Sequence, residues 1–151
     1  MTREDKEKFM KEALMLAHEC ESFGDVPVGC VVVKNGEIVG RGKNSREADV
    51  SVTAHAEILA IEDACRNLKT RRLDDCEIFV TLEPCPMCAG AIMLSRMRKI
   101  YIGALDFQTG ACGSKINIFE WSMSPDVKIE YGILKDECKG ILKDFFEKMR
   151  G

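Results

Sequence analysis

Two short motifs contain the residue types and spacings of a metal centre. Cys85 and Cys88 form a C-x-x-C pair at the start of a predicted helix. Residues three apart share one helix face, and a helix N-terminus favours the thiolate form that binds metals. His55 lies two residues before Glu57, at the start of another predicted helix. Imidazole and thiolate are typical zinc ligands, so we expect His55, Cys85 and Cys88 to bind zinc.

The number of ligands distinguishes a catalytic zinc site from a structural one. A structural site uses four protein ligands, commonly as two close pairs. This chain has one C-x-x-C pair and no second pair with suitable spacing. Three ligands leave a position for water, whose pKa zinc lowers to about 7. We therefore predict that Glu57 is the catalytic proton shuttle and not a metal ligand.

Each motif has another interpretation when it is taken alone. A single C-x-x-C pair in an α/β protein is also typical of a thiol redox centre, and an isolated H-x-E is usually solvated surface. Both motifs follow β-type sequence, and their combination favours a metal site. The other cysteines are predicted to be small apolar core residues: Cys20, Cys30, Cys65, Cys76, Cys112 and Cys138.

The composition is that of an ordinary globular chain. Hydrophobic residues make up 46% and charged residues 31% of the 151 residues. No run approaches the roughly 20 apolar residues of a membrane span, and the first eight residues lack the apolar core of a secretory signal. We expect a soluble, cytoplasmic protein without disulfides. The net charge of −3 excludes a strong nonspecific nucleic-acid binder, so an RNA partner would need a local basic patch or base contacts.

The elements that position the two motifs alternate between helices and strands. Asn35-Gly36 between two β-rich runs predicts a tight hairpin, and Thr53 is the predicted N-cap of the helix that carries His55. Helices are predicted at 4–22, 54–68, 84–97 and 134–149. Strands are predicted at 28–34, 37–42, 77–81, 99–102 and 127–131, with a glycine-rich loop at 103–114. This order predicts an α/β protein with a mixed sheet and helices on its faces.

The combination of H-x-E with P-C-x-x-C is the signature of zinc-dependent nucleobase deaminases. From residue 9 to residue 149, the chain resembles the cytidine deaminase superfamily and, more narrowly, the bacterial tRNA-specific adenosine deaminases. The zinc motif is specific to the superfamily, whereas the loop at 103–114 indicates the tRNA-acting branch. The matching segments are 26–29, 44, 53–57, 80–85, 87–91, 103–106, 109–114, 132–134 and 137–138.

The resemblance implies a structure, a reaction and partners. It implies one domain over residues 1–151, with a three-layer α/β/α fold around a mixed sheet of about five strands. It implies a homodimer with one zinc ion per subunit, which converts adenosine 34 of tRNA to inosine and binds the anticodon stem-loop. It also implies that substrate is contacted by Asn44, Ala54, Pro84 and Asp106.

Three departures from the family pattern leave other functions open, and one is that relatives usually carry a longer basic tail after the last helix, where this sequence has residues 145–151. Ser51-Val52 stands where relatives often have Asp-Pro, and Pro86 gives a Pro-Cys-Pro-Met-Cys sequence that guanine deaminases also use. The alternatives are a deaminase of a free guanine-type or cytosine-type base or nucleoside, and a noncatalytic zinc-containing RNA-binding subunit. Basic residues that could contact phosphate are Arg66, Lys69, Arg71, Arg72, Arg96, Arg98 and Lys99, with Lys139, Lys143, Lys148 and Arg150 as a weaker group.

Overall fold

A computed structural model describes residues 1–120 and 126–151. Its helices are α1 (Arg3–His18), α2 (Ala56–Leu68), α3 (Pro86–Ser95) and α4 (Lys135–Arg150). Its strands are β1 (Gly29–Lys34), β2 (Glu37–Lys43), β3 (Cys76–Leu82), β4 (Lys99–Ala104) and β5 (Lys128–Tyr131). Within the described residues, no helix has the length and apolar character needed to cross a membrane.

The five strands form one mixed sheet in the order β2-β1-β3-β4-β5. β1 is antiparallel to both β2 and β3, whereas β4 is parallel to β3 and β5. The predicted hairpin joins β1 and β2, with left-handed φ angles of 51° at Asn35 and 78° at Gly36. Positive φ at both central residues matches the twist of the flanking strands, which is why Asn-Gly predicts this turn.

Alternating strand residues build a core on each side of the sheet. Val32 and Ile78 face the layer that contains α2 and α3. Val31 and Phe79 face the layer that contains α1 and α4, and Phe79 stacks on Tyr101 with ring centroids 4.4 Å apart. The predicted three-layer α/β/α architecture with a five-stranded mixed sheet is confirmed.

The first residue of α2 differs from the sequence prediction. Thr53 is the predicted N-cap, but the N-cap of α2 is His55, whose own side chain makes no capping hydrogen bond. The side chain of Asn44 supplies the missing acceptor, because its Oδ1 accepts a hydrogen bond from the Ala56 N–H at 2.9 Å. A cap from a distant loop leaves the His55 ring free to act as a ligand.

Helix α3 is shorter at both ends than the predicted span of 84–97. It begins at Pro86, with Cys85 as its N-cap, because proline has a helical φ and needs no amide donor in the first turn. It ends at Ser95, since Arg96 adopts a left-handed φ of 72°. Cys85 therefore precedes the helix and only Cys88 lies within its first turn.

Helix α2 lies directly against the backbone of β2. A Cβ atom on Gly42 would be 2.2 Å from the Ala56 carbonyl oxygen, and one on Gly40 would be 2.4 Å from that of Ala60. Contacts this short leave no room for any side chain. The two glycines thus set the depth at which α2, and His55 at its start, lies on the sheet.

Candidate active site and metal centre

The three predicted metal ligands converge at the starts of two helices. The Nδ1 atom of His55 lies 3.8 Å from Cys85 Sγ and 3.6 Å from Cys88 Sγ. A tetrahedral zinc ion with ordinary Zn–N and Zn–S bonds separates nitrogen from sulfur by about 3.6 Å. The donor set and its spacing therefore fit zinc. Within the described residues, this is the one group of three such side chains able to hold a metal ion.

The local environment favours a thiolate at Cys85. A hydrogen bond with the Cys88 side chain has the largest effect, and the N–H groups of Cys88 and Met87 add to it. Together they lower the pKa of Cys85 to about 5, against the opposing effect of burial. A thiolate is the form that ligates a metal, so Cys85 is prepared for binding. The same hydrogen bond and burial raise the pKa of Cys88.

Glu57 lies in the first turn of α2 and is only 4% exposed. Burial is the main cause that raises the pKa of Glu57 to about 7, and the neighbouring Cys85 contributes in the same direction. A carboxyl group with a pKa near neutrality can both accept and donate a proton efficiently at physiological pH. Its chemistry matches the predicted role of a proton shuttle.

His55, Glu57 and Cys85 line one cavity of about 150 Å³. This volume is below the roughly 300 Å³ at which pockets for drug-sized ligands begin, so it suits a single ring system. The cavity has an apolar side formed by Val26, Val28 and Leu82. Its polar side chains include Asn44, Arg46, Glu83, Asp106 and Thr109. A flat molecule with polar edges fits such a lining.

Asn44 connects the two sides of the cavity. Besides accepting from Ala56, its Nδ2 donates to the Val26 carbonyl oxygen at 3.1 Å. An amide side chain has a second lone pair and a second N–H. Asn44 can therefore hold the wall in place and still offer one acceptor and one donor to a substrate edge.

Asp106 stabilises the turn that forms the opposite wall. Its Oδ1 accepts hydrogen bonds from the N–H groups of Gln108 at 3.0 Å and Thr109 at 3.1 Å. Its Oδ2 accepts from the Thr109 hydroxyl at 2.9 Å. The structure thus places Asp106 at the cavity, where its carboxylate also fixes the backbone of its own loop.

Comparison with known proteins agrees with this geometry. Residues 3–104 match the model of a family described as the cytidine and deoxycytidylate deaminase zinc-binding region. The chain belongs to this deaminase family. Its predicted membership is confirmed, and the family description agrees with zinc as the metal of the His/Cys/Cys group.

Individual relatives of this deaminase cover nearly all of its length. The tRNA-specific adenosine deaminase of Bacillus subtilis is 45% identical over 95% of this chain and 90% of its own. The protein of the same name from Aquifex aeolicus is 47% identical over 96% of both chains. A solved structure from work on tRNA:A34 deaminases has a TM-score of 0.85 and 38% identity, covering 89% of this chain and 99% of that one.

The deaminase site contains two of the four predicted substrate-binding residues in its lining. Asn44 and Asp106 line the cavity. Ala54 and Pro84 are buried immediately before His55 and Cys85, and neither is among the described residues of the lining. The Pro84 carbonyl oxygen accepts a hydrogen bond from Ala111, and the Ala54 N–H faces the Ser51 carbonyl oxygen at 3.5 Å. Their roles toward substrate stay predictions.

The sequence interpretation missed three polar residues of the cavity: Arg46, Glu83 and Thr109. Glu83 immediately precedes Pro84 in the zinc motif, so its position was a usable signal. Arg46 and Thr109 lie in loops that are held by distant or local side chains: Asp25 accepts hydrogen bonds from the residues after Arg46, and Asp106 accepts from Thr109. Periodicity and spacing give no information about such placements.

Several basic residues of the predicted RNA contact lie next to acids. Arg66, Arg72, Lys99, Lys143 and Lys148 each have a carboxylate oxygen within 4.0 Å. Exposed ion pairs of this kind are weak and easily exchanged. They reduce the local positive potential without preventing contact with phosphate. The role of these basic residues in binding RNA stays a prediction.

Proposed function

We propose that this protein is a zinc-dependent hydrolase that deaminates adenosine 34 of tRNA to inosine. The observation that carries the proposal is the buried carboxyl group of Glu57 in one cavity with the metal ligands. The choice of tRNA over a free base rests on the relatives named tRNA-specific adenosine deaminase, which are 45% and 47% identical to the chain.

We assign one zinc ion per subunit to His55, Cys85 and Cys88. Zinc with three protein ligands supplies a Lewis acid that makes water a stronger nucleophile at neutral pH. The two cysteines and the histidine come from separate helix starts, so the ligands are held by the fold before metal binds. A zinc ion held there would lie beside the cavity, which His55 and Cys85 line.

Glu57 performs the proton transfers of the reaction. Water adds its oxygen to C6 of adenine, and Glu57 accepts the proton that this oxygen releases. Glu57 passes that proton to the ring nitrogen N1. It then transfers the remaining proton of the C6 hydroxyl to the amino group. The C6–N bond breaks as the C6=O bond forms, so water and adenosine give inosine and ammonia. Acid–base catalysis of this kind contributes about 10²- to 10⁴-fold to a rate.

We expect the target base to leave its stack before it reacts. Enzymes that do chemistry on a base take it out of the stack, and a cavity of about 150 Å³ suits one unpaired base. We assign its polar edges to Asn44, Asp106 and the backbone near Ala54 and Pro84. Anticodon-loop bases are more easily extruded than duplex bases, so the anticodon stem-loop is the expected RNA partner and the cytoplasm the expected location.

The decisive experiment offers several substrates to the zinc-loaded protein. The panel contains the anticodon stem-loop of an arginine tRNA with adenosine 34, the same stem-loop with guanosine 34, and free guanine, cytidine and adenosine. Chromatography of nucleosides after digestion measures inosine. We expect inosine only from the first RNA.

The other outcomes identify the alternative functions. Deamination of a free base or nucleoside but not of RNA would make the protein a small-molecule deaminase. Stem-loop binding without any product would indicate a noncatalytic zinc-containing RNA-binding subunit. Loss of metal with formation of a Cys85–Cys88 disulfide under mild oxidation would indicate a thiol redox protein.

We also propose a homodimer whose contact includes α3. The helix sequence is apolar on nearly all sides, which is typical of a helix that is buried. One face is nevertheless open, since Leu94 is 81% and Met87 is 37% exposed. Gly90 lies between them, and a Cβ atom added to it would have no neighbouring atom within 4 Å. A second copy would cover this apolar face.

Leu94→Glu tests the dimer. We expect this variant to shift the mass measured by light scattering from two chains to one, because a charge in an apolar contact is expensive to bury. Leu105→Glu is the control at another exposed leucine and should remain dimeric. A wild-type mass of one chain at micromolar concentration would contradict the proposal.

A further inference from the structure

A buried carboxylate joins the metal-binding segment to the loop that forms the far wall of the cavity. Glu83 is 2% exposed and lies between the end of β3 and Pro84 of the zinc motif. Its Oε1 accepts hydrogen bonds from the Asp106 N–H at 3.1 Å and from the Ser114 hydroxyl. Its Oε2 accepts from the N–H groups of Cys112 and Ser114, each at 3.0 Å.

The loop is held by individual hydrogen bonds and not by regular secondary structure. Residues 105–114 contain neither a helix nor a regular strand, and a loop without such elements is normally mobile. Among the described residues, no lysine or arginine lies within salt-bridge distance of Glu83, so hydrogen-bond donors alone stabilise its buried carboxylate. The four donors come from both ends of the loop.

Close packing around Gly110 reinforces this arrangement. A Cβ atom on Gly110 would be 2.5 Å from Glu83 Oε2 and 2.4 Å from the Asp106 carbonyl oxygen. The loop backbone therefore passes directly over the carboxylate. Any displacement of Glu83 must move Asp106, which lines the cavity beside Glu57.

We infer that Glu83 is a positioning residue that fixes the Asp106 loop at the cavity and thereby sets the affinity for the RNA substrate. All four of its hydrogen-bond donors belong to the loop, so its effect reaches the substrate through Asp106. The identity of that substrate rests on the proposed function, whereas the control of the loop does not. Glu83 therefore determines how tightly RNA binds and leaves the chemical step to Glu57.

Glu83→Gln provides a selective test because the two oxygen positions have different partners. An amide nitrogen at the Oε2 position would face two backbone N–H groups, which cannot accept a hydrogen bond. At the Oε1 position it would face the Ser114 hydroxyl, which can accept, and only the Asp106 N–H would lose its partner. The substituted side chain is expected to choose the second arrangement.

Amide hydrogen exchange of the zinc-loaded protein measures directly whether the Asp106 N–H has lost its acceptor. In Glu83→Gln we expect exchange at the Asp106 amide to accelerate at least tenfold, with Cys112 and Ser114 within about threefold of wild type. Glu77→Gln, at the opposite end of β3, should leave all three amides unchanged. Unchanged exchange at Asp106, or equal acceleration at all three amides, would overturn the inference.

Kinetics with the anticodon stem-loop supply the second measurement. We expect Glu83→Gln to raise KM about tenfold, which corresponds to one lost interaction, while kcat stays within about threefold and zinc stoichiometry is unchanged. Ser114→Ala removes a donor to the same carboxylate but keeps the Asp106 bond, so its KM should stay within about threefold. A lower kcat at constant KM, or loss of zinc, would contradict the assignment.

Two further measurements test the inference if the variant does not fold or if the proposed substrate is wrong. If Glu83→Gln does not fold, Gly110→Ala displaces the same loop from the other side and should raise KM in the same way; an unchanged KM would overturn the inference. If wild-type protein ignores the stem-loop but deaminates a free base, the proposed function fails. The exchange rates at Asp106 and the KM for that base then decide the role of Glu83 independently.

Discussion

The two walls of the cavity are built by different means. The metal-bearing wall places His55, Cys85 and Cys88 at two helix starts, within short motifs of the sequence. The opposite wall is a loop without regular structure, whose shape depends on hydrogen bonds that Glu83 accepts from residues 23 to 31 positions later in the chain. Short sequence motifs thus place the residues of the metal site. Contacts between distant parts of the chain place the residues that fit the substrate.

Removing a metal ligand should have the largest effect on activity, because it destroys the zinc site of the metal-bearing wall. We expect Cys88→Ala to lose both zinc and measurable deamination, since two remaining ligands hold the ion poorly. Metal analysis and inosine formation measure the two losses. Cys65→Ser, at a half-buried cysteine on α2 remote from the metal ligands, is the control and should retain zinc. Full zinc occupancy in Cys88→Ala would refute the ligand assignment.

Glu57→Gln should have the next largest effect and separates chemistry from metal binding. The amide keeps the size of the side chain but cannot accept and return a proton. We expect zinc content to be unchanged and kcat to fall by about 10²- to 10⁴-fold. Glu62→Gln, on the exposed side of the same helix, should behave as wild type. Retained inosine formation in Glu57→Gln would remove the shuttle role.

Asp106→Ala tests the opposite wall of the cavity and should have a moderate effect on activity. We expect KM for the stem-loop to rise about tenfold while zinc content stays constant, because one interaction at the substrate is lost. Asp106→Asn can keep the turn, since an amide oxygen still accepts from Gln108 and Thr109. An equal loss in both variants would indicate direct contact with substrate, and a loss limited to Asp106→Ala would indicate the turn alone.

Gly42→Ala tests stability and not a single step of the reaction, because it acts through the sheet beneath α2. A methyl group 2.2 Å from the Ala56 carbonyl oxygen must displace the helix. We expect the free energy of unfolding to decrease by about 1–3 kcal/mol, the usual range for overpacking. Denaturant titration measures it. Gly140→Ala, in α4 with open space around the added Cβ, should instead be neutral or stabilising.

The sequence predicts the parts of the fold that depend on local patterns. Asn35-Gly36 marks the hairpin, and the periodicity of β-branched and apolar residues marks the five strands and four helices. The ligand set follows from residue type and spacing alone. Helix starts are less accurate, since Thr53 has the better capping side chain but Asn44 provides the cap from twelve residues earlier.

The opposite wall of the cavity could not be predicted from the sequence, because its contacts also join residues that are far apart in the chain. Nothing near Glu83 in the sequence indicates that its carboxylate accepts bonds from both ends of a later loop. Arg46 reaches the cavity because the buried Asp25 accepts hydrogen bonds from the N–H groups of Glu47 and Ala48 and holds that segment. Such contacts arise only when the chain is folded.

The separation of the metal ligands along the chain also links metal supply to folding. His55 and Cys85 are thirty residues apart, at the starts of helices that follow β2 and β3. They come together only in the folded chain, so an ion bound between them stabilises the folded state over the unfolded one. The abundance of folded protein in a cell is therefore expected to follow the free zinc concentration by mass action, before any substrate is bound.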